Sequence, residues 1–279
     1  MKTLPELRIA LIGGGNMGRG LVGGLLARGL PASHITVADI NLAGLQVIAN
    51  DYGVQITTDN SAAVAAADVV VMAVKPQQMG AVLTELHDAL AAAAPVLVSV
   101  AAGLRVADLA RWSPAGIAIV RAMPNRPALI SAGASGLYAD TTVSAAQRAL
   151  AEQVLQATGV TVWVDRESDL DLVTALSGSG PAYFFLLAEL MAEAAVARGL
   201  PADTARVLAA QTLAGAGQLV AAEATPDLAR MRAEVTSPGG TTAAALAAFA
   251  AQGLGTNVTA AMDAAAQRSR ELADLFGAG

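Results

Sequence analysis

The sequence predicts an α/β fold in two parts, a doubly wound sheet followed by an all-helical domain. Two observations carry this prediction. In the first half, short apolar runs alternate with amphipathic stretches, and beyond residue 168 only helical periodicity continues. Apolar runs separated by helices are typical of a parallel sheet covered on both faces. We place the domain boundary so that residues 1–166 form the first domain and residues 167–279 the second.

Each element is predicted from its own run of residues, strands from continuous apolar runs and helices from helical spacing of apolar positions. The predicted strands are 8–12, 35–39, 54–56, 68–74, 95–100, 117–122, a stretch around 136–138, and 160–164. The predicted helices of the first domain are 17–28, 42–52, 77–91, a short one from Val106, and 145–157. In the second domain, glycine and proline clusters at 178–181, 199–201, 225–226 and 237–240 separate the helices.

Composition narrows the classes of function. Hydrophobic residues make up 54% of the chain and aromatic residues 3%, so the core must consist mainly of Ala, Val and Leu. The formal net charge is −6 and no basic run is present, which argues against nucleic-acid binding because phosphates are neutralised by clustered Lys and Arg. With no cysteine and only two histidines, we expect no disulfide and no metal site.

Targeting and membrane signals are weak in this sequence. The N-terminal apolar run leads straight into glycines, which is not the pattern of a secretory signal. The charge-free run at 235–262 contains glycines, a proline and polar residues that a lipid-exposed helix would not tolerate. We therefore expect a cytoplasmic protein without membrane association.

A glycine-rich turn, GGGNMG at 13–18, lies between the first strand and the first helix. Such a turn binds a dinucleotide: Gly13 permits the tight turn, Gly15 lets the backbone approach the pyrophosphate, and Gly18 allows close packing of helix on sheet. Free N–H groups at the helix start then face the phosphates. The alternative is a glycine-rich turn without a ligand. In this context the motif predicts a Rossmann-type nucleotide domain.

Asp39 ends the second predicted strand, 21 residues beyond Gly18. An acidic residue at this position holds the ribose hydroxyls and favours NADH over a cofactor with a 2′-phosphate. The alternative is that Asp39 caps the following helix.

Two later loops also follow strands. In them, Lys75 is either a ribose or pyrophosphate contact or a surface lysine, and Asn125, between two prolines, could orient an amide or a substrate.

Two further motifs lie in the helical half, LSGSGPAY at 176–183 and TSPGGTT at 236–242. Both combine small residues and hydroxyls with a helix start, where successive N–H groups bind a carboxylate without a cationic side chain. For the first motif, the alternative is a helix–helix crossing that needs small residues. For the second, it is a capped turn in which Thr241 and Thr242 satisfy backbone donors.

Together these motifs resemble the pyrroline-5-carboxylate reductase family. The matching segments are GGGNMG at 13–18, AVKPQ at 73–77, SVAAG at 99–103, MPNRP at 123–127, LSGSGPAYFF at 176–185, GLP at 199–201, QT at 211–212 and VTSPGGTT at 235–242. They run in order through nearly the whole chain, and the last is specific to the family.

The resemblance implies NAD(P)H-dependent reduction of 1-pyrroline-5-carboxylate to L-proline, the last step of proline biosynthesis. It implies a Rossmann domain followed by a helical dimerisation domain. The family forms homodimers through these helices and often assembles further into decamers. The active site would lie at the junction, with the partner subunit contributing.

The motifs and the resemblance together assign site residues. The cofactor, NADPH or NADH, would be contacted by the glycine turn and by loops that follow strands: Gly13, Gly15, Asn16, Met17, Gly18, Asp39, Asn60, Val74, Lys75, Pro76, Ala102, Pro124 and Asn125. The substrate would be contacted by Glu167, Ser177, Gly240, Thr241 and Thr242. Of these, Thr242 is the expected catalytic residue, with its hydroxyl on the ring nitrogen.

The implied chemistry suits these residues. A cyclic imine that binds protonated is already a strong electrophile, so a hydroxyl that orients the nitrogen and a clamp on the carboxylate would suffice. The cofactor supplies the hydride and the protein supplies position. Three residues depart from the family pattern: Asp39, which puts NADPH usage in question, Arg126, and Glu234, whose charge could disfavour a carboxylate substrate.

Three alternatives stay open from the sequence. One is a reductase of another cyclic imine. A β-hydroxyacid dehydrogenase-like enzyme would place a catalytic lysine on a helix of the second domain, but residues 170–279 contain no lysine. A non-catalytic nucleotide-binding sensor is disfavoured by the intact Thr241 and Thr242.

Overall fold

The computed structural model describes residues 2–277 and shows two compact units. One unit comprises the chain up to Gly178 together with the segment from Ala265 onward, and the other is Ser179–Ala264. Within each unit the residues pack mainly against one another. The functional boundary expected between residues 166 and 167 stays a prediction.

The first unit is built on one eight-stranded sheet in the order β3-β2-β1-β4-β5-β6-β7-β8. Strand β1 pairs in parallel with both β2 and β4, so the chain winds outward in both directions from this point. That arrangement confirms the doubly wound sheet, and the crevice at such a switch point is where open α/β sheets bind ligands. The strands are β1 Ile9–Ile12, β2 Ile35–Ala38, β3 Gln55–Thr57, β4 Val69–Met72, β5 Val96–Ser99, β6 Ala118–Met123, β7 Gly133–Tyr138 and β8 Gly159–Trp163.

The expectation of an all-parallel sheet is wrong at one place. Strand β7 runs antiparallel to β6, with Met123 opposite Gly136, and β8 is parallel to β7. The reason is the length of the connection. Only a loop with the 3₁₀ helix Arg126–Ile130 joins β6 to β7, whereas a parallel crossover needs a dozen residues or more, usually a helix.

Seven α-helices accompany the strands of this unit: α1 Asn16–Ala27, α2 Leu42–Tyr52, α3 Asn60–Val64, α4 Pro76–Glu85, α5 His87–Ala93, α6 Val106–Trp112 and α7 Ala145–Leu155. The single helix predicted at 77–91 is two helices, α4 and α5, which meet at the fully buried Leu86. The short helix α3 was not predicted. It is one turn whose N–H group at Ala62 is capped by the Asp59 carboxylate, 3.0 Å away.

The core lies on both faces of the sheet, as the sequence predicts. Along β1, Leu11 packs into one apolar cluster and Ile12 into the other, because successive side chains of a strand point to opposite faces. The first cluster includes Leu25 of α1 and the second includes Leu83 of α4. Helices therefore cover both faces of the sheet.

Beyond β8 the described chain is helical, which confirms the predicted second part. The elements are α8 Asp169–Val173, a π-helical turn Thr174–Gly178, α9 Gly180–Val196, α10 Ala202–Ala221, α11 Leu228–Glu234, α12 Thr241–Ala251 and α13 Leu254–Gly277. In the second unit α9 packs on α10. Large apolar side chains on α9, among them Phe184 and Phe185, are about 60% exposed, and exposed apolar patches of this kind mark association surfaces.

One stretch within residues 2–277, Asp169–Val196, is long and apolar enough to cross a membrane by length and composition alone. The run at 235–262, which the sequence singled out for this question, is broken into separate helices, α12 and α13. The stretch 169–196 is interrupted by the π turn and contains Pro181, Glu189 and Glu193. Polar groups of this kind fit an association helix better than a lipid-exposed one.

The end of α13 packs against the first unit. The Ser269 hydroxyl donates to the Asp171 carboxylate of α8 at 2.6 Å. Arg105, which precedes α6, pairs with Asp274 at 2.6 Å. The ring of Phe276 joins the second apolar cluster and lies against Gly103, where a Cβ atom would come within 2.9 Å of it. The end of α13, from Ala265 onward, is thus part of the core of the first unit.

This contact predicts that Phe276→Ala destabilises the first unit by about 2 kcal/mol, because a half-buried ring leaves the core. The neighbouring Leu275 is 64% exposed and provides the control. Urea unfolding at one fixed protein concentration should show a lower midpoint for Phe276→Ala and little change for Leu275→Ala. Equal midpoints for the two variants would mean that the ring does not support the core.

Candidate active site

The glycine turn lies at the carboxyl end of β1 and is closely packed underneath. Gly13 has φ +112°, and a Cβ atom there would lie 2.6 Å from the Ala73 carbonyl oxygen that follows β4. A Cβ atom on Gly18 would lie 2.3 Å from the Gly13 carbonyl oxygen. By contrast, a Cβ atom on Gly15 would meet nothing within 4 Å. The turn is therefore tight against the sheet and open above, as close approach of a ligand requires.

Helix α1 begins directly above this turn. Its N-cap is Gly15, and among residues 2–277 no side chain caps the helix start. Asn16 is exposed and Met17 is half-buried. The first-turn N–H groups of an α-helix have no partner within the helix, and the helix dipole makes this end positive. These N–H groups are available to a pyrophosphate.

Asp39 is joined to the glycine turn. Its Oδ2 accepts the Gly14 N–H at 2.7 Å, and its Oδ1 accepts the Asn41 N–H at 2.9 Å. The cap of α2 is Asn41, whose side chain accepts the Gly44 N–H at 3.1 Å. Asp39 thus does not itself cap the helix. The carboxylate stands half-buried beside the turn, where a ribose would lie, and contact with the ribose stays a prediction.

The loops after β3, β4 and β5 reach the same edge, because the carboxyl ends of parallel strands lie together. Val74 is half-buried, and Lys75 is exposed at the start of α4 with Pro76 in its first turn. Ala102 is exposed in the turn that follows β5. Asn60 begins α3, and its amide lies 3.4 Å from the Glu85 carboxylate. These predicted cofactor contacts are brought to one edge of the sheet.

Asn125, after β6, is buried and already engaged on both ends of its amide. Its Nδ2 donates to the Ser177 carbonyl oxygen at 3.0 Å, and its Oδ1 accepts the Ala134 N–H at 2.9 Å. Pro124 before it is also buried. The sequence predicts that Asn125 orients a bound amide or substrate. In the structure this amide ties the loop after β6 to the π turn and to β7, and the contact with a ligand stays a prediction.

Ser177 lies in that π turn, which the sequence did not predict. Its hydroxyl donates to the Val173 carbonyl oxygen at 3.0 Å. A Cβ atom on the next residue, Gly178, would come within 2.7 Å of the Met123 methyl group. π-Helical turns inside α-helices are frequent at functional sites. The predicted substrate role of Ser177 would need its hydroxyl to leave or share this bond.

Glu167 is held by two donors. Its Oε1 accepts the Val106 N–H at 2.7 Å and lies 3.0 Å from Nη1 of Arg121. The Arg121 side chain is only 7% exposed and that of Glu167 is 24% exposed. Arg121 is absent from the residues predicted by sequence. The available signal was a lone arginine within an otherwise apolar strand, β6, since a buried charge requires a partner.

In the second unit, α12 begins with an open first turn. Gly240 is its N-cap without a side-chain cap, and the Gly240 N–H donates to the Ser237 carbonyl oxygen at 3.0 Å. Within the part of the chain that the structure describes, neither Thr241 nor Thr242 has a hydrogen bond from its hydroxyl. The alternative of a turn capped by these two threonines is therefore wrong. Their hydroxyls and the first-turn N–H groups are left for a ligand.

The carboxylate of Glu234 is ion-paired within the second unit. Its carboxylate pairs with Arg230 at 2.5 Å, and the same guanidinium also pairs with Glu223. Hydrogen bonding to Glu223 and then Glu234 raises the pKa of Arg230 above its ordinary value. Because one guanidinium is shared by two carboxylates, the three side chains together keep one negative charge, and the charge of Glu234 is only partly offset.

The chemistry available to these groups is orientation rather than acid catalysis. No group of three metal-ligating side chains occurs among residues 2–277. The glycine turn and the open first turn of α12 offer N–H groups and hydroxyls, which suit phosphates and a carboxylate. Such donors can place a hydride acceptor and stabilise its charges without transferring a proton themselves.

Comparison with known proteins decides the family. Residues 167–272 match the family described as pyrroline-5-carboxylate reductase dimerisation, and residues 8–103 match the one described as NADP oxidoreductase, coenzyme F420-dependent. A pyrroline-5-carboxylate reductase of Pseudomonas aeruginosa is 48% identical over 271 residues, which cover 97% of this chain and 98% of that protein. The chain belongs to the pyrroline-5-carboxylate reductase family.

Solved structures of reductases from this family have the same fold. That of Coxiella burnetii has a TM-score of 0.91 at 40% identity, covering 95% of this chain and 98% of that one. A Plasmodium falciparum pyrroline carboxylate reductase with NADP bound has a TM-score of 0.80 at 25% identity, covering 97% and 100%. Membership confirms an NAD(P)-dependent oxidoreductase and sets aside the sensor and β-hydroxyacid dehydrogenase-like alternatives. The roles of individual residues stay predictions.

The contacts of Asn125 predict the effect of a near-isosteric change. In Asn125→Asp the acceptor for the Ala134 N–H remains, but a carboxylate oxygen replaces the donor to the Ser177 carbonyl. We expect a loss of about 1–3 kcal/mol in the free energy of unfolding. Asn50→Asp introduces the same charge at an exposed position and should be near neutral. Equal stability of the two variants in urea would show that the Ser177 contact contributes nothing.

Proposed function

We propose that this chain performs the family reaction, reduction of 1-pyrroline-5-carboxylate to L-proline with NADPH or NADH, as the last step of proline biosynthesis. The observation that carries the proposal is the start of α12. There Gly240 is the N-cap, and Thr241 and Thr242 would present unused hydroxyls and first-turn N–H groups to a small anionic ligand. The direct test is steady-state oxidation of either cofactor with pyrroline-5-carboxylate. Absence of turnover with both would overturn the proposal.

The cofactor is proposed to bind along the carboxyl edge of the sheet. The glycine turn and the start of α1 would hold the pyrophosphate, and the half-buried Asp39 would face the ribose. Lys75 is exposed at this edge and would contribute a positive charge. The proposed contacts are Gly13, Gly15, Asn16, Met17, Gly18, Asp39, Asn60, Val74, Lys75, Pro76, Ala102, Pro124 and Asn125. For Pro124 and Asn125 we propose backbone contacts, since the Asn125 amide is already engaged.

The substrate is proposed to be oriented by Glu167, Ser177 and the start of α12. The N–H groups of Thr241 and Thr242 would hold the carboxylate, and the Thr242 hydroxyl would accept from the protonated ring nitrogen. A protonated imine is electrophilic at carbon, so a hydroxyl in this place needs only to fix its orientation. The nicotinamide cofactor supplies the hydride when bound. The product is the ring amine, whose nitrogen already carries its proton.

The assembly is proposed to be a homodimer through the helical domain at 167–279, with a decamer as a further possibility for the family. The exposed apolar side chains of α9 support it, since they are uncovered in one chain. The match of 167–272 to the dimerisation family supports the same surface and the boundary at residue 167.

We place the enzyme in the cytoplasm and propose no nucleic-acid or membrane partner, in keeping with its net charge of −6.

The proposed role of Thr242 predicts a loss of rate that depends on the hydroxyl. Thr242→Ala should lower kcat by about 10- to 100-fold, because the imine nitrogen loses its orienting contact. The KM for the cofactor should change little. Thr242→Ser keeps the hydroxyl and should retain most of kcat. Full activity of Thr242→Ala in the same assay would remove Thr242 from the mechanism.

Asp39 predicts the cofactor preference. A carboxylate beside the ribose repels a 2′-phosphate, so KM should be lower for NADH than for NADPH. In Asp39→Asn the ratio of the two KM values should move towards NADPH by about tenfold, roughly 1.4 kcal/mol of repulsion. The ratio is informative because both cofactors share the turn and its hydrogen bonds. Asp51→Asn removes an acid paired with Arg19 and should leave the ratio unchanged. A wild-type preference for NADPH would contradict the ribose assignment.

A further inference from the structure

Arg121 is a charged residue inside the core of the first unit. It lies two residues before the end of β6, opposite Ser99 of β5 and Tyr138 of β7. Its side chain is 7% exposed, although burial of a guanidinium is costly without a paired carboxylate. Apolar residues of similar volume would fill this place at no electrostatic cost. A purely structural explanation therefore leaves the arginine unexplained.

The partner of Arg121 is Glu167, and their contact is specific in its geometry. One oxygen of the carboxylate, Oε1, takes both the Arg121 Nη1–H at 3.0 Å and the Val106 N–H at 2.7 Å. Two donors on one oxygen fix the position of that oxygen and so limit the movement of the carboxylate. In the described residues 2–277, the other oxygen, Oε2, accepts no hydrogen bond. Arg121 thus leaves one carboxylate oxygen in a defined place with free lone pairs.

The pair lies at the edge of the sheet where a ligand is expected. Val106 begins α6, which follows the exposed turn at Ala102 after β5, and Arg121 is close to the carboxyl end of β6. Glu167 comes after β8 and just before α8. Strand β8 runs opposite to β6, so it is the two contacts of Glu167, with Val106 and Arg121, that place its carboxylate near this edge. Open α/β sheets bind their ligands outside the carboxyl ends of the strands.

We propose that Arg121 is a positioning residue for the reductase reaction: it holds the carboxylate of Glu167 so that the free oxygen meets the cyclic imine. The inference rests on the proposed function, in which Glu167 contacts substrate. Glu167 bears a negative charge, and the protonated imine bears a positive one. An oxygen held in place orients this cation more effectively than a mobile carboxylate, because less conformational freedom is lost on binding.

Kinetics of two Arg121 variants test the proposal. Arg121→Met should lower kcat/KM for pyrroline-5-carboxylate by about 10- to 100-fold, the size of effect expected for a small misplacement in a site. The KM for the nicotinamide cofactor should stay within about twofold of the wild-type value. Arg121→Lys keeps the positive charge and should recover part of the loss. If Arg121→Met does not fold, Arg121→Lys still reports, since loss of the planar fork alone should raise the KM for the imine.

A double-mutant cycle shows whether Arg121 acts through Glu167. In a Glu167→Ala background, adding Arg121→Met should change kcat/KM by less than about twofold, because the group that Arg121 positions is gone. Additive losses would refute the proposal, since Arg121 would then act independently of Glu167. Thermal unfolding of each variant should accompany the kinetics. Lower stability with unchanged kcat and KM in Arg121→Met would also overturn the proposal and leave a purely structural ion pair.

A matched control comes from the same end of α6. Arg105 precedes the helix and pairs with Asp274 at 2.6 Å on the surface. Arg105→Met removes an arginine–aspartate pair and should leave the KM for the imine unchanged. Wild-type turnover of pyrroline-5-carboxylate separates the two hypotheses. If the wild type is inactive, the proposed function fails; if it is active and Arg121→Met retains its kcat/KM, only the positioning role fails.

Discussion

The contact between the glycine turn and the loop after β4 is the constraint on which the nucleotide-type unit depends. With φ +112° at Gly13 and only 2.6 Å between a would-be Cβ atom and the Ala73 carbonyl oxygen, no other residue fits without moving β1 from β4. Those two strands form the switch point of the sheet. Through this contact, the start of α1 and the loops after β4 and β5 lie at one edge, and every proposed cofactor contact depends on that edge.

In the proposed function, Asp39 would combine a structural and a functional task in one carboxylate. Its bonds to the Gly14 and Asn41 N–H groups hold the turn against the end of β2. The same bonds keep a negative charge beside the ribose position. A side chain at this position that admitted a 2′-phosphate would need to accept hydrogen bonds from both backbone N–H groups without carrying a negative charge. Under this proposal the stability of the turn and the choice of cofactor depend on the same carboxylate.

The sequence predicted the parts of the fold that depend on local patterns. Strand runs, the glycine turn and the helical second part all follow from spacing, and the family follows from the VTSPGGTT motif. The reversed strand β7 was missed because direction depends on the length of a connection and on neighbours far along the chain. Asn125 was assigned to a ligand, since its partners, Ser177 and Ala134, are visible only in three dimensions. Arg121 was missed although it is a lone arginine in an apolar run, because its partner Glu167 lies far along the chain.

The proposed substrate carries two charges, a carboxylate and a protonated ring nitrogen. The first turn of α12 and the Arg121–Glu167 pair would each suit one of them. At α12 the groups are neutral hydroxyls and N–H donors, which suit the anionic end of the substrate. At Glu167 the group is an anion, which suits the protonated ring nitrogen. In the proposed function a strong acid would be redundant, because an imine that binds protonated already carries the proton that the product nitrogen keeps. Under this proposal the reaction asks the protein to fix charges in place rather than to transfer a proton, and the unused hydroxyls at the start of α12 and the ion-paired carboxylate of Glu167 are groups of that kind.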